Sequence, residues 1–439
     1  MSVLPKEINY KSAMSLPDGT SSNSIVASPI NGSSFQASQI VQFDLVQRGY
    51  LVPESMYIRY KLTTTGGTAG TANNYIRGTP VYSFFARSEV IVGSQVVESI
   101  QNYNQLCNML VNCKLNYAQK VGLANSFGYT SSTAATTYAF DFSTNAANGG
   151  NLSTSTGAAP QSIFLAAPLG NLLSNADNLV PLKFMPSCRI QLTTETLANA
   201  MQSPAGANAI ASYAITNFEL CYDIIEFSPM VDQAITTMGA GAITIKSQSY
   251  LSSGVTLTAA SSGTLEFLFN QRLASIKSLF AHLSGTVATV ALNTLFDSQD
   301  VTGTAGGDYQ FFVSGIPYPP RPISTVLNKA GASMELSSAF GPAHDLLTSN
   351  FSITPAEFNA SNNVATTQNQ MGKFYIGTNV EKLSTNNALL TGISSQGSPI
   401  SVRVSIGTQT TNAQVIQLIC LYDALLQIDI PSRTLVVMQ

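Results

Sequence analysis

The chain has 439 residues, 44% of them hydrophobic and only 10% charged, with a formal net charge of −3. That length exceeds one ordinary core and points to two domains of roughly 200 residues each. The charge deficit, against a usual level of about 25%, is filled by Ser, Thr, Asn, Gln, Ala and Gly, and the absence of any Lys or Arg run excludes a basic arm that neutralises nucleic acid.

Residues 1–34 are weakly periodic and rich in Ser, Asn and Pro, and read as an N-terminal arm. Met1 to Leu16 lacks a basic start and an apolar core, so no secretory signal is expected. Val41 to Arg48 alternates, with Val41, Phe43 and Leu45 on one face of a strand, and Met56 to Leu62 does the same. Val90 to Val97 predicts a hairpin turning at Gly93-Ser94, where glycine tolerates a positive φ. Ile100, Tyr103, Leu106, Leu110, Cys113 and Tyr117 recur at helical spacing, with Ser99 or Asn102 as the expected cap. Residues 128–161 carry few apolar anchors and predict a protruding loop with a small strand near Tyr138 to Phe142.

Tyr213 to Phe227 is a strong β run that Pro229 stops. A small-residue joint follows, and 229–242 reads as the linker between a first domain over 35–228 and a second over 243–430. In the second half, Thr244 to Tyr250, Leu265 to Arg272, Leu279 to Leu283, Val287 to Leu292 and Tyr309 to Val313 read as strands. Ile316 to Ile323 holds four prolines and predicts an extended crossover rather than a central strand. Ser333 to Phe340 predicts a short helix closed by Gly341-Pro342. Phe374 to Val380, Ile400 to Ile406 and Val415 to Ile428 read as strands, and 431–439 as a tail.

Two echoes organise these runs. Leu265-Glu-Phe-Leu-Phe-Asn-Gln-Arg272 repeats the pattern and ending of Val41-Gln-Phe-Asp-Leu-Val-Gln-Arg48, and Tyr422-Asp423 repeats Tyr222-Asp223 near the far end of each half. Order is kept, so Phe43 and Phe267 are expected to occupy equivalent core positions. Short strands with turn signals every ten residues or so indicate β-sandwiches, and the duplication makes them two in tandem.

Candidate chemistry is sparse. Cys107, Cys113, Cys188, Cys221 and Cys420 are odd in number, widely spaced and mostly flanked by apolar residues, which reads as reduced buried thiols in a chain made in the cytosol. His282 and His344, the two histidines, have no metal-ligand spacing to a cysteine and no serine partner set. Asp297, Asp300 and Asp308 lack the order of a dedicated calcium loop. Gly239 and Gly241 lack the Lys-Ser or Lys-Thr of a phosphate loop, and no tryptophan is present to stack a sugar. Arg48 and Arg272 read as polar residues where a strand leaves a sandwich, or as partners for acidic groups across an interface. No catalytic residue, cofactor site or metal site is therefore expected, and the chain reads as non-enzymatic.

Ser83 to Ile100 with Tyr103-Asn104, Tyr309 to Ile323, Phe374 to Leu383 and Leu389 to Ser394, taken with the repeat, resemble the double jelly-roll major capsid proteins of double-stranded DNA viruses, a lineage linking tailless membrane-containing bacteriophages, adenovirus, virophages and large eukaryotic DNA viruses. The resemblance implies an all-β chain of two tandem eight-stranded jelly-roll β-sandwiches with short helices in the connections. It implies a homotrimeric, pseudo-hexagonal capsomer of an icosahedral shell in the virion. Neighbouring capsomers, penton and minor capsid proteins would be its partners, and a membrane or other proteins would separate it from the genome, without sequence-specific nucleic-acid binding. A tandem β-sandwich adhesin or lectin-like protein is the alternative.

Overall fold

The computed structural model describes residues 19–66, 75–128, 161–202, 210–238, 241–258, 262–270, 272–285, 295–296, 298–302, 306–341, 353, 358, 373–382, 390–406 and 414–439. The 128–161 loop beyond Gly128 and before Gln161, its small strand, Val287 to Leu292, Asp297, His344 and Gly239 lie outside them.

In the first half the strands are β1 (Ser21–Ala27), β2 (Ser34–Phe35), β3 (Ile40–Asp44), β4 (Tyr50–Leu51), β5 (Tyr57–Gly66), β6 (Tyr75–Ile76), β7 (Phe85–Val92), β8 (Gln95–Gln101), β9 (Gln161–Pro168), β10 (Cys188–Thr194), β11 (Met201–Gln202) and β12 (Ile210–Glu226). Helices α1 (Pro80–Ser83), α2 (Tyr103–Lys114), α3 (Tyr117–Gly122), α4 (Ala124–Phe127) and α5 (Leu197–Ala200) sit in the connections, and α6 (Pro229–Met238) leads into the second half. There the strands are β13 (Ala242–Leu257), β14 (Gly263–Phe269), β15 (Ile276–Gly285), β16 (Ser298–Gln299), β17 (Asp308–Val313), β18 (Ile316–Ser324), β19 (Ile376–Asn379), β20 (Ile400–Ile406), β21 (Gln414–Asp429) and β22 (Thr434–Met438), with α7 (Lys329–Phe340) between β18 and β19.

The two halves repeat one topology. In the first, the order β1-β12-β5-β9 faces β3-β10-β7-β8; in the second, β13-β21-β15-β16 faces β14-β20-β17-β18. The place that β9 fills beside β5 is shared in the second half by β16 and β19, both paired to β15. Each half is thus a jelly-roll sandwich, and the mostly β architecture follows the sequence pattern. Register matches as well. Phe43 pairs with Ile190 and Ile190 with Val90, while Phe267 pairs with Val402 and Val402 with Phe311. Both phenylalanines are buried, so the expected equivalence holds residue for residue.

Several elements differ from the sequence reading. Within the stretch read as an arm, Ser21–Ala27 is a strand, paired along its length with β12. It runs at a sheet edge with alternate residues exposed, so its apolar signal is weak. Pro229 stops β12 but also opens α6, as proline does at a first helical turn, where its missing N–H costs nothing. The stretch read as a tail holds β22, which pairs with β21 from Thr434 to Met438. The proline-rich octet forms β18, a strand at the sheet edge, where missing donors are tolerated; Tyr318-Pro319 is cis. Helix α2 starts at Tyr103, three residues after Ile100, because Gln95–Gln101 continues the hairpin whose turn is Gly93-Ser94. Gly93 has φ +62, as that turn requires.

Candidate assembly surfaces

The sequence names no catalytic or metal-ligating residue, and the candidates it weighs fall into internal roles. His282 is buried on β15, its ring 5.6 Å from that of Tyr375, with neither ring nitrogen hydrogen-bonded. Burial pushes it down to about 4. Asp300 accepts from the Thr302 amide at 2.9 Å and its hydroxyl at 2.7 Å, closing a local turn. Arg48 pairs with Glu226 of its own sandwich at 3.4 Å, and Arg272 donates to the Gln396 carbonyl at 2.9 Å. All five cysteines are buried and free. Burial pushes the Cys107, Cys188 and Cys420 thiols up to about 12. Among the described residues no cluster of three metal-ligating side chains occurs, and no helix is long and apolar enough to cross a membrane.

What the fold does assemble is a join between the sandwiches, with α2 as its filling. Ten of the helix's residues are buried, on both its polar and its apolar faces. Asn102 stands at the N-cap position with φ 50, but its side chain makes no cap. It reaches across to donate to Gln417 Oε1 on β21 at 3.0 Å. Asn112 Nδ2 lies 3.4 Å from the Tyr375 hydroxyl, and Lys114 Nζ lies 5.7 Å above the Phe340 ring. Gly78, with φ +69, faces Phe296: a Cβ there would stand 2.6 Å from the ring, so glycine permits this close approach.

β13 also packs against β8. Ser247 Oγ donates to the Leu172 carbonyl at 2.5 Å, the Asp177 amide donates to the Lys246 carbonyl at 2.9 Å, and Asn175 Nδ2 donates to the Gln248 carbonyl at 3.1 Å. Glu98 lies inside this join, 3% exposed, accepting from the Leu172 amide at 2.9 Å and from the Ser249 hydroxyl. Burial, opposed by those two hydrogen bonds, pushes its carboxyl up to about 7. Sequence reading misses this glutamate, because an acidic residue in a hairpin strand looks solvent-facing until its distant neighbour is known.

The outer surface carries large apolar side chains. Leu327 is 89% exposed and Met230 82%, with Val326, Met334, Leu268, Ile316, Val436 and Met438 also open. Phe164, 64% exposed, borders an open groove of about 810 Å³ against the Ser28–Ser33 turn. Arg59 and Glu219 form an ion pair in the same groove.

No family model matches the sequence, and no curated protein does. Solved structures do. The Faustovirus major capsid protein superposes with a TM-score of 0.61 at 11% identity, covering 94% of this chain and 91% of its own. PBCV-1 VP54, as fitted into a reconstruction of the virophage Sputnik, gives 0.62 at 10% identity over 98% and 99% of the two chains. The mavirus major capsid protein gives 0.55 at 11% identity over 100% and 95%. The likeness spans both sandwiches, so the chain has the double jelly-roll fold of these capsid proteins.

Proposed function

We propose that the chain is a viral major capsid protein, a non-enzymatic shell component that works by assembly. The observation that carries this reading is the pair of register-matched jelly rolls fixed together by a buried join. Three copies then present six similar sandwiches, the layout of a pseudo-hexagonal capsomer, which tiles an icosahedral shell. The exposed apolar side chains supply area for trimer and capsomer contacts, since obligate interfaces are more hydrophobic than ordinary surface. The low charge supports it too, because long charged side chains cost entropy to immobilise.

Neighbouring capsomers, penton and minor capsid proteins are its partners in this reading, and the virion is its location. Capsomer contacts that are individually weak allow misplaced units to leave before closure. The adhesin reading is not favoured, since the solved structures sharing the fold over both sandwiches include named major capsid proteins. Sedimentation of the purified chain tests the proposal: a particle of three times the 46.4 kDa chain mass is expected. A stable monomer at micromolar concentration overturns it.

A further inference from the structure

The second sandwich holds a buried polar cluster that the assembly reading does not use. Asp423 on β21 is wholly buried. Its two carboxyl oxygens have different surroundings. Oδ2 accepts from the Thr391 amide at 3.0 Å, lies 3.1 Å from the Thr391 hydroxyl, and accepts from the Ser275 hydroxyl at 2.9 Å. Oδ1 has no hydrogen-bond partner, and a buried orphan of this kind calls for an explanation. The group facing it is the ammonium of Lys277, with Nζ 3.9 Å away, beyond hydrogen-bond reach. Lys277 Nζ lies 3.2 Å from Glu381 Oε1, and the Thr391 hydroxyl also contacts that same Glu381 oxygen. Lys277 sits at a register shift in the pairing of β15 with β21, between Ile276 and Ser278. Such an irregularity re-aims a side chain.

From this juxtaposition we propose that Lys277 and Asp423 condense into an intramolecular isopeptide bond, with Glu381 as the catalytic proton carrier and Thr391 and Ser275 as an oxyanion site. The Thr391 hydroxyl touches both carboxyl groups and so ties Glu381 to Asp423. The reactive arrangement carries the acid proton on Oδ1, the oxygen without a hydrogen-bond partner, and leaves Oδ2 as the carbonyl oxygen faced by the Thr391 amide and the Ser275 hydroxyl. Glu381 takes a proton from the Lys277 ammonium, and the freed amine attacks Cγ of the Asp423 acid. A C–N bond forms, and negative charge builds on Oδ2, where the amide and hydroxyl donors already point. Glu381 returns its proton to Oδ1, the C–Oδ1 bond breaks, and water leaves. The nitrogen then gives its surplus proton back to Glu381. One lysine and one carboxyl group become one secondary amide and one water, with no change of oxidation state and no other reactant.

Lys277 Nζ stands 3.9 Å from Oδ1, the oxygen that leaves, and closes on Cγ by rotation of the lysine side chain to the near-attack distance of about 3–3.5 Å. Burial of Asp423 keeps water from reversing the step. The equivalent Asp223 of the first sandwich lacks this arrangement: its Oδ1 accepts from Ser24 Oγ at 2.6 Å, and it has no ion pair among the described residues. The bond belongs to the second sandwich and is independent of the oligomeric state.

Intact-mass spectrometry of the denatured full-length chain, followed by a proteolytic map, decides the matter. The expected mass is that of the sequence less one water, with a branched peptide joining the segments around Lys277 and Asp423 and no tryptic cleavage after Lys277. A full sequence mass, or separate linear peptides carrying the two residues, overturns the proposal and leaves a buried ion cluster. Glu381→Gln keeps the side-chain shape and is expected to restore the full mass while circular dichroism stays native. A native Glu381→Gln chain that still forms the branched peptide overturns the role given to Glu381.

Discussion

The hydroxyl of Ser249, on the first strand of the second sandwich, donates to the carboxyl of Glu98, on the last strand of the first sandwich's hairpin. The bond crosses the join, in a region where Glu98 is also faced by the Leu172 amide and the Tyr422 phenol. Because burial raises this carboxyl from its usual 4.5 to about 7, its contribution to stability is complete below about pH 4.5 and is lost as pH rises through about 7. A shift of that size corresponds to roughly 3 kcal/mol. Thermal melts should therefore fall from about pH 5 to about pH 8, and Glu98→Gln should flatten the slope in that window. An unchanged slope in the variant would assign the dependence to other groups.

Phe43 and Phe267 test the duplication energetically. Phe43 packs edge-on against Phe218 at 5.1 Å, within a group that includes Tyr60 and Phe85, and is fully buried. Phe267 is 7% exposed. Truncation of a buried phenylalanine costs about 3–5 kcal/mol, so Phe43→Ala should fall in that range and Phe267→Ala at its lower end. Chemical denaturation of each variant measures both. Equal, negligible losses would contradict the shared core position.

These two residues also mark what a sequence discloses and what it conceals. Alternation in Val41 to Arg48 and Leu265 to Arg272 is a local signal, and it survives because each strand has one buried face. Strand β1 was hidden because both of its faces are partly open, and β22 because four ordinary residues between it and β21 resemble a tail. Glu98 and Ser249, Asn102 and Gln417, and Lys277 and Asp423 meet only through the fold. No periodicity announces such pairs, and the first two need the sandwiches to be docked before they exist.

His282 makes the opposite pH prediction. Its pKa falls from the usual 6.5 to about 4 because nothing in its buried site compensates a charge. Stability from the neutral ring is present above about pH 6.5 and is lost as pH falls toward about 4, again by roughly 3 kcal/mol. His282→Leu replaces an unpaired polar ring with an apolar group, so it should be near neutral at about pH 7.5 and more stable than the parent at about pH 4.5. Differential scanning calorimetry at the two values checks the crossover.

The cysteines give a chemical readout of the same packing. A buried thiol held near 12 is almost entirely protonated at neutral pH, and the thiolate is the reactive form. Native protein should show no fast reaction with a maleimide or a disulfide reagent, and denatured protein should show five reactive thiols. A fast native fraction would mean that at least one site opens without global unfolding.

Asn102 separates backbone from side chain at the join. Its φ of 50 suits asparagine or glycine, and its amide holds Gln417 across the two sandwiches. Asn102→Gly keeps the backbone and removes the hydrogen bond, which should cost about 1 kcal/mol. Asn102→Ala removes the bond and also forces an alanine into the left-handed region, adding a further 1–3 kcal/mol or so. Urea titrations that rank the chains parent, glycine, alanine in falling stability support both roles. Equal losses for the two variants would leave only the hydrogen bond, and no loss for glycine would show that Gln417 finds another donor when the sandwiches stay docked.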